Sequence, residues 1–93
     1  MEVMVMTLTF RAPWCKSLKD KRSLVKRLVM GLRHQFNASV CESGHQQMLT
    51  LMEIQLAMLA FDRAQADSMG EQVLRFVERA TEAELVDSQV EIR

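Results

Sequence analysis

The sequence predicts an α+β domain in which two helices cover one face of a four-stranded antiparallel sheet. Three observations carry this expectation. Residues 17–36 and 62–80 repeat apolar side chains with the helical period. Glu2 to Phe10 and Gln47 to Ala60 instead alternate with the period of a strand. Shorter strand-like runs at Ala38 to Ser43 and Leu85 to Ile92 complete the order β-α-β-β-α-β. The length, 93 residues, suffices for one hydrophobic core and not for two, so residues 1–93 form a single domain.

Each element has a local reason. In Glu2 to Phe10, Val3, Val5, Thr7 and Thr9 alternate with Met4, Met6, Leu8 and Phe10, as expected of a central strand with both faces in use. Pro13 ends that strand in the loop Arg11 to Lys16. Ser17 is a good N-cap for the first helix, with Asp20 three positions on in place of the usual capping-box Glu. Leu18, Val25, Leu28, Val29, Leu32 and Phe36 form the expected buried stripe of that helix, with Leu24 at its edge. Asn37 breaks the helix, and Gly44-His45-Gln46 is read as the turn of a hairpin whose second strand starts at Gln47. Asp62 caps the second helix, for which Ala66, Met69, Val73, Phe76, Val77 and Ala80 are the expected stripe, with Gly70 beside it. Val86, Val90 and Ile92 of the last strand are expected to face inward.

Right-handed crossovers close this order into the ferredoxin-like arrangement, with strand order 4-1-3-2. The face away from the helices stays uncovered. Val3, Val5, Leu51 and Leu59 would lie against water there, which makes this face a candidate surface for homodimer or larger assembly.

Composition narrows the function classes. No apolar run is long enough to span a membrane, and Met1 to Phe10 lacks the basic leader of a signal peptide. The expected compartment is therefore the cytoplasm, where Cys15 and Cys41 are expected as free thiols. Residues 1–41 carry eight basic and two acidic side chains and residues 42–93 four basic and ten acidic, so a net charge of zero divides into +6 and −6. Much of the positive half is on the first helix. Lys19, Arg22, Lys26 and Arg33 fall within roughly 60° of one another, with Arg27 and His34 beside them. Asp20 is the only acid of that helix, so ion pairs along it do not neutralise the row. The row is a candidate nucleic-acid or anion-binding face; the alternative is a solvated surface. Lys21 departs from the pattern, because it points into the middle of the apolar stripe. It is either a caged cation that grips an anion or a lysine whose stem crosses the core edge to meet a carboxylate.

The chain resembles a family at this stretch. SLKDKRSLVKRLVMGLRHQFNASV, then His45-Gln46, and the strand and loop ending in Ala12-Pro13, are similar to the YlxP-like family of small bacterial proteins of unknown function. The resemblance implies a ferredoxin-like fold and no established reaction. Its association with translation and ribosome maturation implies RNA or ribosomal particles as the expected partner. Two positions depart from the family pattern: Gln47 stands where an acid is common and Leu49 where a tryptophan is common, while this chain carries Trp14 in its first loop.

Catalytic chemistry finds little support. Cys15 precedes a helix N-terminus, a position that lowers a thiol pKa, but no arginine follows at phosphatase spacing. Cys15, Cys41, His34 and His45 lack ligand spacing, so neither a metal nor another cofactor is expected. Arg11 to Ser17 has no glycine for an acylphosphatase-type anion loop. His45 and Gln46 are either a polar turn site or groups that satisfy the backbone of the turn. The expected function is a non-enzymatic binding module using the basic helix, with homo-oligomerisation through the open sheet face as the alternative.

Overall fold

The computed structural model describes residues 1–93. Its elements run β1 (Glu2–Arg11), α1 (Leu18–Gln35), β2 (Ser39–Gly44), β3 (Leu51–Ala60), α2 (Arg63–Ala80) and β4 (Glu84–Ile92). The strands form one sheet in the order β2-β3-β1-β4, and every neighbouring pair is antiparallel. This is the expected ferredoxin-like order, read from the other edge.

The alternation of β1 decides where the core sits. Met4, Met6, Leu8 and Phe10 are wholly buried on the helix side, opposite Met58, Leu56, Ile54 and Met52 of β3. Val40 of β2 joins them from one side, and Leu85 and Ile92 of β4 from the other. Leu24, Val25, Leu28 and Leu32 of α1 and Ala66, Val73 and Val77 of α2 close the layer from above. Four methionines lie in this core, and their unbranched thioethers fill irregular gaps without demanding a single shape.

Both helices start as their sequences dictate. Ser17 accepts a hydrogen bond from the Asp20 amide at 3.1 Å, which satisfies one of the free donors of the first turn. The Asp20 carboxylate in turn accepts from the Lys16 amide at 3.2 Å. Asp62 caps α2 by accepting from the Gln65 amide at 2.8 Å. The helices meet where Gly31 passes under the Phe76 ring, and Phe36 and Phe76 pack edge to face with centroids 5.7 Å apart.

Four expectations need correction. The second strand of the hairpin starts at Leu51, not Gln47, because residues 45–50 fold into a loop whose carbonyls serve other donors. Leu18 is 43% exposed and Leu24 is buried, so the stripe of α1 is rotated toward α2. In α2, Ala80 is exposed instead of buried, while Gly70, beside the stripe as expected, is buried against Met4. Val86 does not face the core, since a β-bulge between Thr9 and Phe10 leaves it between Leu85 and Asp87, both of which pair with β1. Val90 lies opposite Met6 on the helix side, yet at the sheet edge it is 52% exposed.

The cysteines sit on opposite sides of the sheet: Cys15 in the core, Cys41 exposed on β2, and both free. Burial, with a smaller contribution from Asp20, pushes the Cys15 thiol up, against a lesser downward pull from Lys21. Cys15 packs as a small apolar side chain of the core, an ordinary structural cysteine. No helix is long and apolar enough to cross a membrane.

Candidate nucleic-acid interface and the lysine beneath it

The site begins with a cation inside an apolar stripe. Lys21 lies between Leu18 and Leu24/Val25 on α1, and the packing of that stripe leaves it only 2% exposed. A buried ammonium is expensive unless its three protons are used. The Lys21 ammonium donates to the carbonyls of His45 and Met48, the latter at 2.6 Å, and stands 3.6 Å from the Glu42 carboxylate. Glu42 is on the helix side of β2, opposite Ile54. The stem therefore crosses the core edge, and the head joins α1 to both β2 and the loop that follows it.

The loop is shaped by the same contacts. The Met48 amide donates to the His45 carbonyl at 3.0 Å, closing a turn over Gln46 and Gln47. His45 adopts a left-handed backbone, with φ of 58°, which turns its carbonyl toward Lys21. The Ala12 amide holds the far end of the loop through Thr50 at 2.8 Å. His45 thus acts through its main chain, and its exposed ring makes no hydrogen bond. Gln46 and Gln47 line a shallow groove beside Lys21, with Leu18, Arg22 and Leu49.

With this side of α1 fixed against the sheet, the opposite side faces solvent. Lys19, Arg22, Lys26, Arg27 and Arg33 are all exposed. The first four have no ion-pair partner. Arg33 is tied down, donating to the Val40 carbonyl of β2 at 2.7 Å. Arg27 lies on the side facing α2 and borders a cleft that it shares with Trp14, Glu78, Arg79 and Glu82. The free part of the row is therefore Lys19, Arg22 and Lys26, with Arg27 at its margin and Lys21 beneath it.

The split in charge is also a split in space. Asp67, Glu71 and Glu78 fall within roughly 40° of one another on α2, and Glu84, Asp87 and Glu91 are on β4. One edge of the domain is basic and the other acidic.

On the open sheet face, the register divides the four apolar candidates. Leu59 and Val3 are directly paired, Val5 and Ala57 form the next rung, and Arg93 continues the first rung through both of its backbone bonds to Val3. The rungs beyond are polar, with Gln55 donating to Thr7 at 3.0 Å. Leu51 pairs with Arg11 at the far end of β3, about 26 Å from Leu59 at the usual strand rise. Val3, Val5 and Leu59 are one patch, and Leu51 is not part of it.

If Lys21 is the tie between α1 and the loop, Lys21→Met should lower stability by about 3 kcal/mol, because two loop carbonyls and a partly buried carboxylate lose their partner. Lys26→Ala, on the solvent side, should change it by less than about 0.5 kcal/mol. Urea unfolding midpoints for the two variants check this; equal midpoints would contradict it.

Known proteins agree with the topology and are silent on chemistry. A computationally conceived protein, "De novo designed protein Foldit4", aligns with all of this chain and 94% of its own, at a TM-score of 0.50 and 19% identity, a likeness in fold alone. A relative from Bacillus subtilis (strain 168), "Uncharacterized protein YlxP", is 31% identical over 68 residues, which are 73% of this chain and 74% of the relative. The family model described as "Protein of unknown function (DUF503)" matches residues 3–90, and the chain belongs to that family.

Proposed function

We propose that this protein is a non-enzymatic module that binds structured RNA, ribosomal particles included, through the phosphates facing α1. The observation that carries this reading is the exposed, unpaired row Lys19, Arg22 and Lys26 on a helix whose other side is locked to the sheet. From Lys19 to Lys26 the free row runs about 10 Å along the axis, a length that spans two or three phosphates of one strand. The backbone of a helix already fixed to the sheet need not be ordered on binding, which leaves only the side-chain rotamers to be fixed. The acidic α2 and β4 repel the same ligand, so the electrostatic pattern favours approach from the α1 side. The sheet face does not present the paired aromatic residues of an RNA-recognition motif, and recognition through this row is of backbone and shape. Filter binding to a structured RNA at low salt tests the reading. Wild type should be retained, and Arg22→Glu with Lys26→Glu should abolish retention while leaving the unfolding midpoint nearly unchanged. Equal retention by the double variant would refute it and favour an acidic protein surface as the partner.

A specific observation favours a second, compatible reading, homo-oligomerisation through the open sheet face. Leu59 is 65% exposed and Val3 37% exposed, with Phe61 75% exposed just beyond Leu59. The pairing of β2 with β3 extends only as far as Ser39 opposite Ala57, so Met58 to Ala60 have no β2 neighbour. An unpaired strand end beside apolar side chains suits a second copy. Light scattering at high micromolar concentration should show a dimer or larger species, weakened by Leu59→Glu and unaffected by Leu51→Glu. A wild type that is monomeric there would refute this reading.

A further inference from the structure

Trp14 and Phe61 are the two aromatic side chains that neither the core nor the basic row uses, and Phe61 adjoins the open sheet face. Trp14 is 49% exposed in the loop between β1 and α1. It forms one wall of a cleft of about 520 Å³. Leu28 contributes an apolar lining from α1, and the polar rim consists of Arg27 together with Glu78, Arg79 and Glu82 around the end of α2. Two guanidinium groups and two carboxylates balance, so the cleft as a whole favours neither a phosphate nor a free cation. Its chemistry fits a flat, uncharged ring with hydrogen-bonding edges. The indole offers a stacking surface, the carboxylates accept from ring N–H and amino groups, and Arg79 donates to ring carbonyl or imine acceptors.

We infer that this cleft holds one unpaired nucleobase of an RNA whose backbone runs along α1. The inference rests on the RNA reading above and deepens it. Arg27 is the link, since it borders the cleft and follows Lys26 of the row directly in sequence. A nucleotide seated against Trp14 would place its phosphate toward Arg27, while its neighbours continue along Lys26, Arg22 and Lys19. The ligand class is accordingly RNA with a single-stranded end or bulge next to a helix, and a fully paired duplex would occupy the row alone. Bases that carry an amino group should be preferred to uracil, because a carboxylate can only accept and an amino group offers it two protons where uracil offers a single ring N–H.

Trp14 is the only tryptophan and the chain has no tyrosine, so intrinsic emission reports this cleft directly. Emission of the full chain would be titrated at low salt with a ten-nucleotide oligo(A) strand and, in parallel, with a blunt RNA duplex of that length, while filter retention measures binding of both. The single strand should quench Trp14 to saturation, and the duplex should be retained without quenching. Trp14→Ala should weaken the single strand on the order of tenfold and Trp14→Phe much less, with duplex binding unchanged in both. Duplex retention without any quenching by the single strand would overturn the cleft while leaving the row intact. Equal single-strand affinity of Trp14→Ala and wild type would do the same. Failure of both RNAs to bind would overturn the row and the cleft together.

Discussion

A single ammonium, that of Lys21, joins α1 to β2 and to the loop that follows it. It is buried at the N-terminal end of α1, where the apolar stripe would otherwise continue, and is held by two carbonyls of the β2–β3 loop and by Glu42. Burying a charge is tolerable only when its hydrogen-bonding capacity is met, and the loop meets it. The constraint acts in both directions. The loop must turn at His45, in a left-handed backbone, to present its carbonyls, and α1 must present Lys21 inward. The rotation of the helix about its own axis is then fixed, and Lys19, Arg22 and Lys26 point outward as a consequence of the same contact.

Arg33 performs a smaller version of this role at the other end of the helix, through the Val40 carbonyl. The basic helix is thus attached at both ends to β2, the edge strand on its side of the sheet. The acids of α2 and β4 lie toward the other edge. A chain with no net charge in this way acquires a strongly polar exterior. Fields of this kind steer a charged partner to one face and exclude it from the other.

Much of the fold was legible in the sequence because its signals are local. The alternation Met4 to Phe10, the caps Ser17 and Asp62, and the stripes of the two helices each need only a few neighbouring residues to be read. Lys21 was visible as an anomaly for the same reason. What escaped depends on distant parts of the chain. Gln47 to Thr50 contains no glycine or proline to set it apart from the strand that follows, and only Lys21, more than twenty residues earlier, explains why the loop keeps its carbonyls from the ladder. The exchange of Leu18 for Leu24 follows from the close approach of α2 at Gly31, which periodicity within α1 cannot reveal. A one-residue bulge moved Val86 out of phase, and no local signal marks it. Within the candidate site, the row was legible from spacing alone, whereas the tie on Arg33, the separation of Leu51 from Leu59 and the cleft at Trp14 required the tertiary arrangement.

The central claim is that a rigid row of three or four unpaired cations on α1 meets RNA phosphates. Co-sedimentation of the native protein with ribosomal particles over a salt series tests it most directly, because each neutralised phosphate releases condensed counterions. The account predicts binding that falls by about 40- to 150-fold between 50 and 200 mM salt, linear in logarithmic coordinates, as three or four phosphate contacts require. Absence from the particles at the lowest salt, or binding that does not respond to salt, would contradict it.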